Sequence, residues 1–130
     1  MSRSILPSSC SIYGFQDGVV DETSAVNPFT TYAKANYRVE QDVLPSANDR
    51  FCVTVLRQAT VYGLSPQMRF DLAINGTVKG FVTTGAIPIL KDGTQWRPFV
   101  HVQDISRAMR IVLEAPQDVV NGTTLQHRLR

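Results

Sequence analysis

The chain has 130 residues, 43% hydrophobic and 18% charged, which is enough for one packed domain or a piece of one and excludes a disordered chain. A formal charge of +2, with no basic run interleaved with aromatics, excludes a nucleic-acid footprint, and His127-Arg128-Leu129-Arg130 reads as a solvated tail. No stretch approaches the roughly 18 apolar residues of a membrane span, and two scattered cysteines build neither a disulfide framework nor a metal site, so a reducing, cytoplasmic setting is expected.

Ser4 to Tyr13 is expected as a strand opening into a loop, and Pro7 argues against a central place for it because proline donates no ladder hydrogen bond. Gly14 to Pro28 is polar and turn-rich. Asn27-Pro28 then opens a helix expected from about Thr30 to Leu44, with Ala35, Val39 and Val43 recurring on one face and Pro45-Ser46-Ala47-Asn48 ending it. Phe51 to Leu56 is rich in β-branched and aromatic residues and reads as a buried parallel strand. Strand, helix and strand in this order predict a βαβ unit. Arg57 to Gly63 leaves the carboxyl end of that strand, the edge at which open α/β sheets bind ligands.

Further on, Met68 to about Val78 is expected to be helical, with short strands at Ile87 to Leu90 and at Arg97 to Val102. Asp104 is expected to cap a helix that turns Ile105, Ala108, Met109, Val112 and Leu113 to one face. Beyond Pro116 a turn at Asn121-Gly122 leads into a few residues of strand. The Asn-Gly-Thr triplets at Asn75 and Asn121 read as a helix residue and a turn rather than glycosylation acceptors. No Gly-x-Gly-x-x-Gly turn follows any strand, so the pyrophosphate-binding part of a dinucleotide fold is missing and a segment of something larger is expected.

Two runs carry chemistry. Ser8-Ser9-Cys10-Ser11-Ile12-Tyr13-Gly14 puts a hydroxyl at the end of an apolar stretch, and Tyr32-Ala33-Lys34-Ala35-Asn36 puts a phenol at the mouth of a helix. Such a pair can share one hydrogen bond with a carbinol or carbonyl oxygen and move a proton while a hydride moves elsewhere. Together with Pro28-Phe29, Leu56-Arg57 through Val61-Tyr62-Gly63, and Lys91-Asp92-Gly93-Thr94-Gln95-Trp96-Arg97-Pro98-Phe99-Val100-His101-Val102-x-Asp104, these runs resemble the extended short-chain dehydrogenase/reductase family. The resemblance is closest to its NAD-dependent nucleotide-sugar epimerases and dehydratases and extends from Ser8 to about Thr124.

The resemblance implies an α/β fold, the later half of a doubly wound Rossmann-type parallel sheet plus part of a small substrate-binding lobe. Residues 1–63 would be the C-terminal part of the NAD-binding domain and 64–130 the lobe with returning Rossmann elements. It implies NAD as cofactor, with NADP left open, a nucleotide-sugar substrate, and a homodimer formed through the Tyr32 helix. Ser9 and Tyr32 take the catalytic positions, Tyr32 as acid/base toward a sugar hydroxyl and Ser9 holding the reacting oxygen. Tyr32, Asn36, Thr60 and Val61 fall at cofactor positions, and Ser9, Asn75 and Arg97 at substrate positions, the last two toward the diphosphate.

Asn36 departs from the family, which has a lysine there to lower the tyrosine pKa from about 10. An amide can still hydrogen-bond a ribose hydroxyl but carries no charge, and Lys34, two residues along the helix, points roughly 200° away. Read from the residues alone, Tyr32 can be a helix-start tyrosine, Ser9 a serine satisfying backbone groups, Asn75 a helix-end cap, Thr60 a packing residue and Arg97 a surface arginine. Cys10-Ser11 does not supply the further acid/base pair of a dehydratase, which favours epimerase, reductase or dehydrogenase chemistry. The expected function is Tyr/Ser-assisted, NAD-dependent hydride transfer at a sugar carbon. The alternative is a truncated or inactive fragment that binds or assembles without turnover.

Overall fold

Two strands set the frame of the computed structural model, which describes residues 2–87 and 96–127. Strand β1 (Ser2–Ser9) and strand β2 (Phe51–Gln58) pair in parallel from Ser2 against Phe51 to Ser9 against Gln58. Strand β5 (Thr123–Gln126) adds in parallel to the other side of β2, giving the order β1-β2-β5. Residues Cys52 to Arg57 are buried one after another, as expected for a central strand covered on both faces. Pro7 sits on β1, at the edge of this sheet among the described residues, the kind of strand on which a residue without an N–H is tolerated.

Helix α1 (Thr31–Val43) joins β1 to β2, completing the expected βαβ unit. Thr30 caps it, its hydroxyl oxygen accepting from the Ala33 N–H at 3.1 Å, so Pro28 lies before the helix rather than inside its first turn. The buried face differs from the periodic reading. Ala33 and Glu40 are buried, whereas Ala35 is exposed and Val39 is 42% exposed. A carboxylate occupies the inward stripe because a buried arginine on β2 faces it, and the apolar stripe is left outside.

At Ala59 the chain passes from one sheet to another. Strand β3 (Thr60–Tyr62) pairs in parallel with strand β4 (Phe99–His101), and Ala59, Val100 and Ile105 form the core beneath, with Val61 and Met109 packed on it. Helix α3 (Val102–Glu114) starts directly after β4, so the strand expected to reach Val102 ends one residue earlier. His101, not Asp104, is the cap, its Nδ1 accepting from the Gln103 N–H at 3.3 Å; Asp104 lies in the first turn. Of the expected apolar face, Ile105 and Val112 are buried but Leu113 is 49% exposed. Arg3 on β1 donates to the carbonyls of Leu113 at 2.8 Å and Ala115 at 2.6 Å, neutralising the negative end of α3.

Helix α2 covers Ala73–Thr84 instead of Met68 to Val78. Asn75 explains the late start. Its Oδ1 accepts from the Gly63 N–H and its Nδ2 donates to the Arg69 carbonyl, both at 3.3 Å, which holds the preceding stretch as a turn. Gly85, at φ +72°, ends the helix. The strand expected at Ile87 to Leu90 lies, beyond Ile87, outside the described residues, as does Lys91 to Gln95. A one-turn helix α4 (Gln117–Val120) precedes β5, and Asn121 closes the turn by accepting from the Val53 N–H at 3.0 Å. Among the described residues no helix is long and apolar enough to cross a membrane.

Candidate active site

A buried polar clamp ties the carboxyl ends of β1 and β2 to α1. Ser8 and Arg57 are ladder partners, and both reach Glu40. The Ser8 hydroxyl donates to the Glu40 carboxylate, and Arg57 donates through Nη2 at 2.7 Å and through Nε at 3.2 Å. Arg57 Nη1 donates to the Tyr13 hydroxyl at 2.8 Å, which itself donates to Gln126 Oε1 at 2.8 Å. Burial works against the Arg57 charge, but the hydrogen bonds from Glu40 and Tyr13 outweigh it and its pKa is raised. Burial likewise raises the pKa of Tyr13, ahead of the opposing hydrogen bond from Arg57, so the phenol stays protonated as a donor.

The next residue along each strand opens onto a cleft. Ser9 and Gln58 are paired at the last position of the ladder, and both line a cleft of about 570 Å³. Tyr32 lines the same cleft from the first turn of α1, as do Thr60, Val61, Arg69 and Arg97. Glu40 lies about two turns along α1 from Tyr32, so the clamp fixes the helix that carries the phenol against the strands that carry the hydroxyl. Ser9 Oγ accepts from the Ser11 N–H at 3.2 Å, the cap of the 3-10 turn Cys10–Tyr13. Gly14, at φ +67°, then turns the chain so closely over Asn27 that a Cβ would collide with the Asn27 carbonyl oxygen.

Two of the seven expected site residues lie outside this cleft. Asn36 is turned back on its own helix, its Nδ2 donating to the Tyr32 carbonyl at 2.9 Å. Asn75 is buried beside a neighbouring cavity of about 180 Å³, bounded also by Tyr62, Gly63 and Val102. Gly63, at φ +114°, is required there, since a Cβ would lie 2.5 Å from His101 Nε2. The sequence reading missed Gln58, Arg69 and the Ser8–Glu40–Arg57 clamp. The available signal was Glu40 falling two turns after Ala33 on one helix face, with a lone arginine inside an otherwise apolar strand.

Cys10 lines the cleft floor half-buried, and burial pushes its thiol from 9.0 up to about 11, against the opposing charge of Arg57. The folded state therefore keeps a proton that the unfolded chain gives up. Stability is full below pH 9.0 and falls as the pH rises toward about 11. The expected loss is about 1–2 kcal/mol once partial exposure is allowed for. Urea midpoints of wild type and Cys10→Ala across this range check it: the variant should lose less.

The sequence pattern of the NAD dependent epimerase/dehydratase family matches residues 1–126. The UDP-glucose epimerase YtcB of Bacillus subtilis (strain 168), itself uncharacterized, is 26% identical over 122 residues, covering 86% of this chain and 35% of that one. The solved structure of MoeE5 in complex with UDP-glucose and NAD superposes with a TM-score of 0.82 at 31% identity, covering 96% of this chain and 42% of that one. UDP-glucuronic acid 4-epimerase from Bacillus cereus, in complex with UDP-glucuronic acid and NAD, gives 0.80 at 27% identity over 95% and 39%. The chain thus spans about a third to two fifths of the length of these relatives. With the match running through both parallel sheets and the four α-helices seen among the described residues, the chain belongs to the NAD-dependent epimerase/dehydratase family.

Proposed function

We propose that the chain carries the catalytic hydroxyl pair and substrate-facing part of an NAD-dependent nucleotide-sugar epimerase, in a cytoplasmic setting consistent with its two free cysteines. The observation that supports it is the meeting of Ser9 and Tyr32 in one cleft at the carboxyl ends of β1 and β2. The cleft volume of about 570 Å³ and the hydroxyls of Ser9, Tyr32 and Thr60 suit the nicotinamide end of NAD and a sugar ring. Bound NAD supplies a hydride acceptor. Tyr32 takes the hydroxyl proton of the sugar carbon being oxidised. Ser9 holds the same oxygen: its Oγ already accepts from Ser11, which leaves the hydroxyl proton to donate. Arg97, exposed at the cleft, pairs with the diphosphate, and Asn75 adjoins it through the neighbouring cavity. Two copies pair through α1, whose outer face presents Ala35 and Val39, beside the exposed Phe29.

A second reading, a family fragment that binds without turnover, is favoured by Asn36. Its amide carries no charge and is spent on the Tyr32 carbonyl. Calorimetric titration of the chain with NAD and UDP-glucose separates the two. Micromolar binding with hydride transfer, seen as epimerisation of the sugar with NAD regenerated, supports the enzyme, whereas no binding up to millimolar ligand rejects an autonomous one.

A further inference from the structure

Gln58 is the last residue of β2, directly after six buried positions, and its carboxamide breaks the pattern of that strand. Its Nε2 is shielded from solvent and has no hydrogen-bond partner, a state that no other side-chain N or O among the described residues shares. Leaving a buried amide donor unpaired destabilises the fold, and a leucine of similar size would avoid the cost. A buried polar group without a partner calls for an explanation, and a role in binding or catalysis is one. The position says which. Gln58 is the ladder partner of Ser9, and both line the cleft that Tyr32 also lines.

We propose that the Gln58 carboxamide is a ligand-binding donor, taking a neutral oxygen acceptor of the molecule held between Ser9 and Tyr32. The inference rests on the functional reading above and adds to it a residue that fixes the ligand's orientation. The acceptor is either the carboxamide oxygen of nicotinamide or a hydroxyl of the sugar; both are uncharged oxygens that a primary amide satisfies without a charge of its own. The last torsion of glutamine is broad, so the amide plane turns toward an arriving acceptor without leaving a staggered well. The empty chain holds the donor in reserve, and the ligand removes the penalty on binding.

Gln58→Leu in the same chain tests this with two measurements. In the calorimetric titrations, the dissociation constant should rise about 3- to 10-fold for one ligand, the value of a neutral hydrogen bond. A rise for NAD alone assigns the nicotinamide carboxamide; a rise for UDP-glucose but not UDP assigns the sugar. In thermal unfolding without ligand, the variant should melt at the same temperature as wild type or higher, because an unpaired donor has been removed. Unchanged constants for both ligands overturn the proposal, and so does a lower melting temperature, which would mean that the amide serves the fold. A wild-type chain that binds neither ligand sinks the functional reading instead. The melting comparison then still decides whether the amide is in reserve.

Discussion

Glu40→Gln is expected to lower the unfolding free energy by about 3–5 kcal/mol, the usual cost of removing one member of a buried ion pair. The substitution keeps the shape and removes the charge. Arg57, 6% exposed, then has no anion to face, and the donors at Nε, Nη2 and the Ser8 hydroxyl compete for one amide oxygen. A domain of this size is stable by only about 5–15 kcal/mol, so the loss is a large fraction of the total. Replacing both partners, Glu40→Leu with Arg57→Met, should recover much of it, because no buried charge remains. Urea unfolding of the two single variants and the double variant measures the coupling. A loss below about 1 kcal/mol for Glu40→Gln would show that water reaches the pair and that the clamp is not what fixes α1.

Tyr32→Phe is expected to lower turnover about 10²- to 10⁴-fold, the range for loss of a positioned acid/base, with unfolding unchanged because the side chain is 62% exposed. Asn36→Lys is its counterpart. It gives up the hydrogen bond to the Tyr32 carbonyl and places a cation one turn away on the same helix face. A cation stabilises the phenolate, so the Tyr32 limb of the pH–rate profile should move to lower pH. Each unit of movement gives about tenfold more base near neutrality. The pH profile of UDP-glucose epimerisation in the presence of NAD, measured for wild type and both variants, checks the pair. A limb that stays in place in Asn36→Lys would mean that another group, not Tyr32, sets it.

Strands β1, β2, β4 and β5 and the first crossover were legible because each depends on local pattern, an apolar run or a helix start, whereas β3 was read only as the chain leaving β2. The clamp was not legible. Ser8, Glu40 and Arg57 are 17 to 32 positions apart along their bonded contacts, and a glutamate in a polar helix reads as solvated until a buried arginine is seen opposite it. That one contact also inverted α1, sending Ala35 and Val39 outward. The start of α2 was misplaced for a similar reason, since the Asn75 side chain reaches back to Gly63 and Arg69 and overrides the helix propensity of the stretch between them.

Ala59 separates the final residue of one sheet, Gln58, from the opening residue of the other, Thr60. Anything lodged at this seam meets the last rung of one ladder and the opening residues of another, so both sheets share in shaping the cleft. The joint between them is a single buried alanine, packed with Val100 and Ile105.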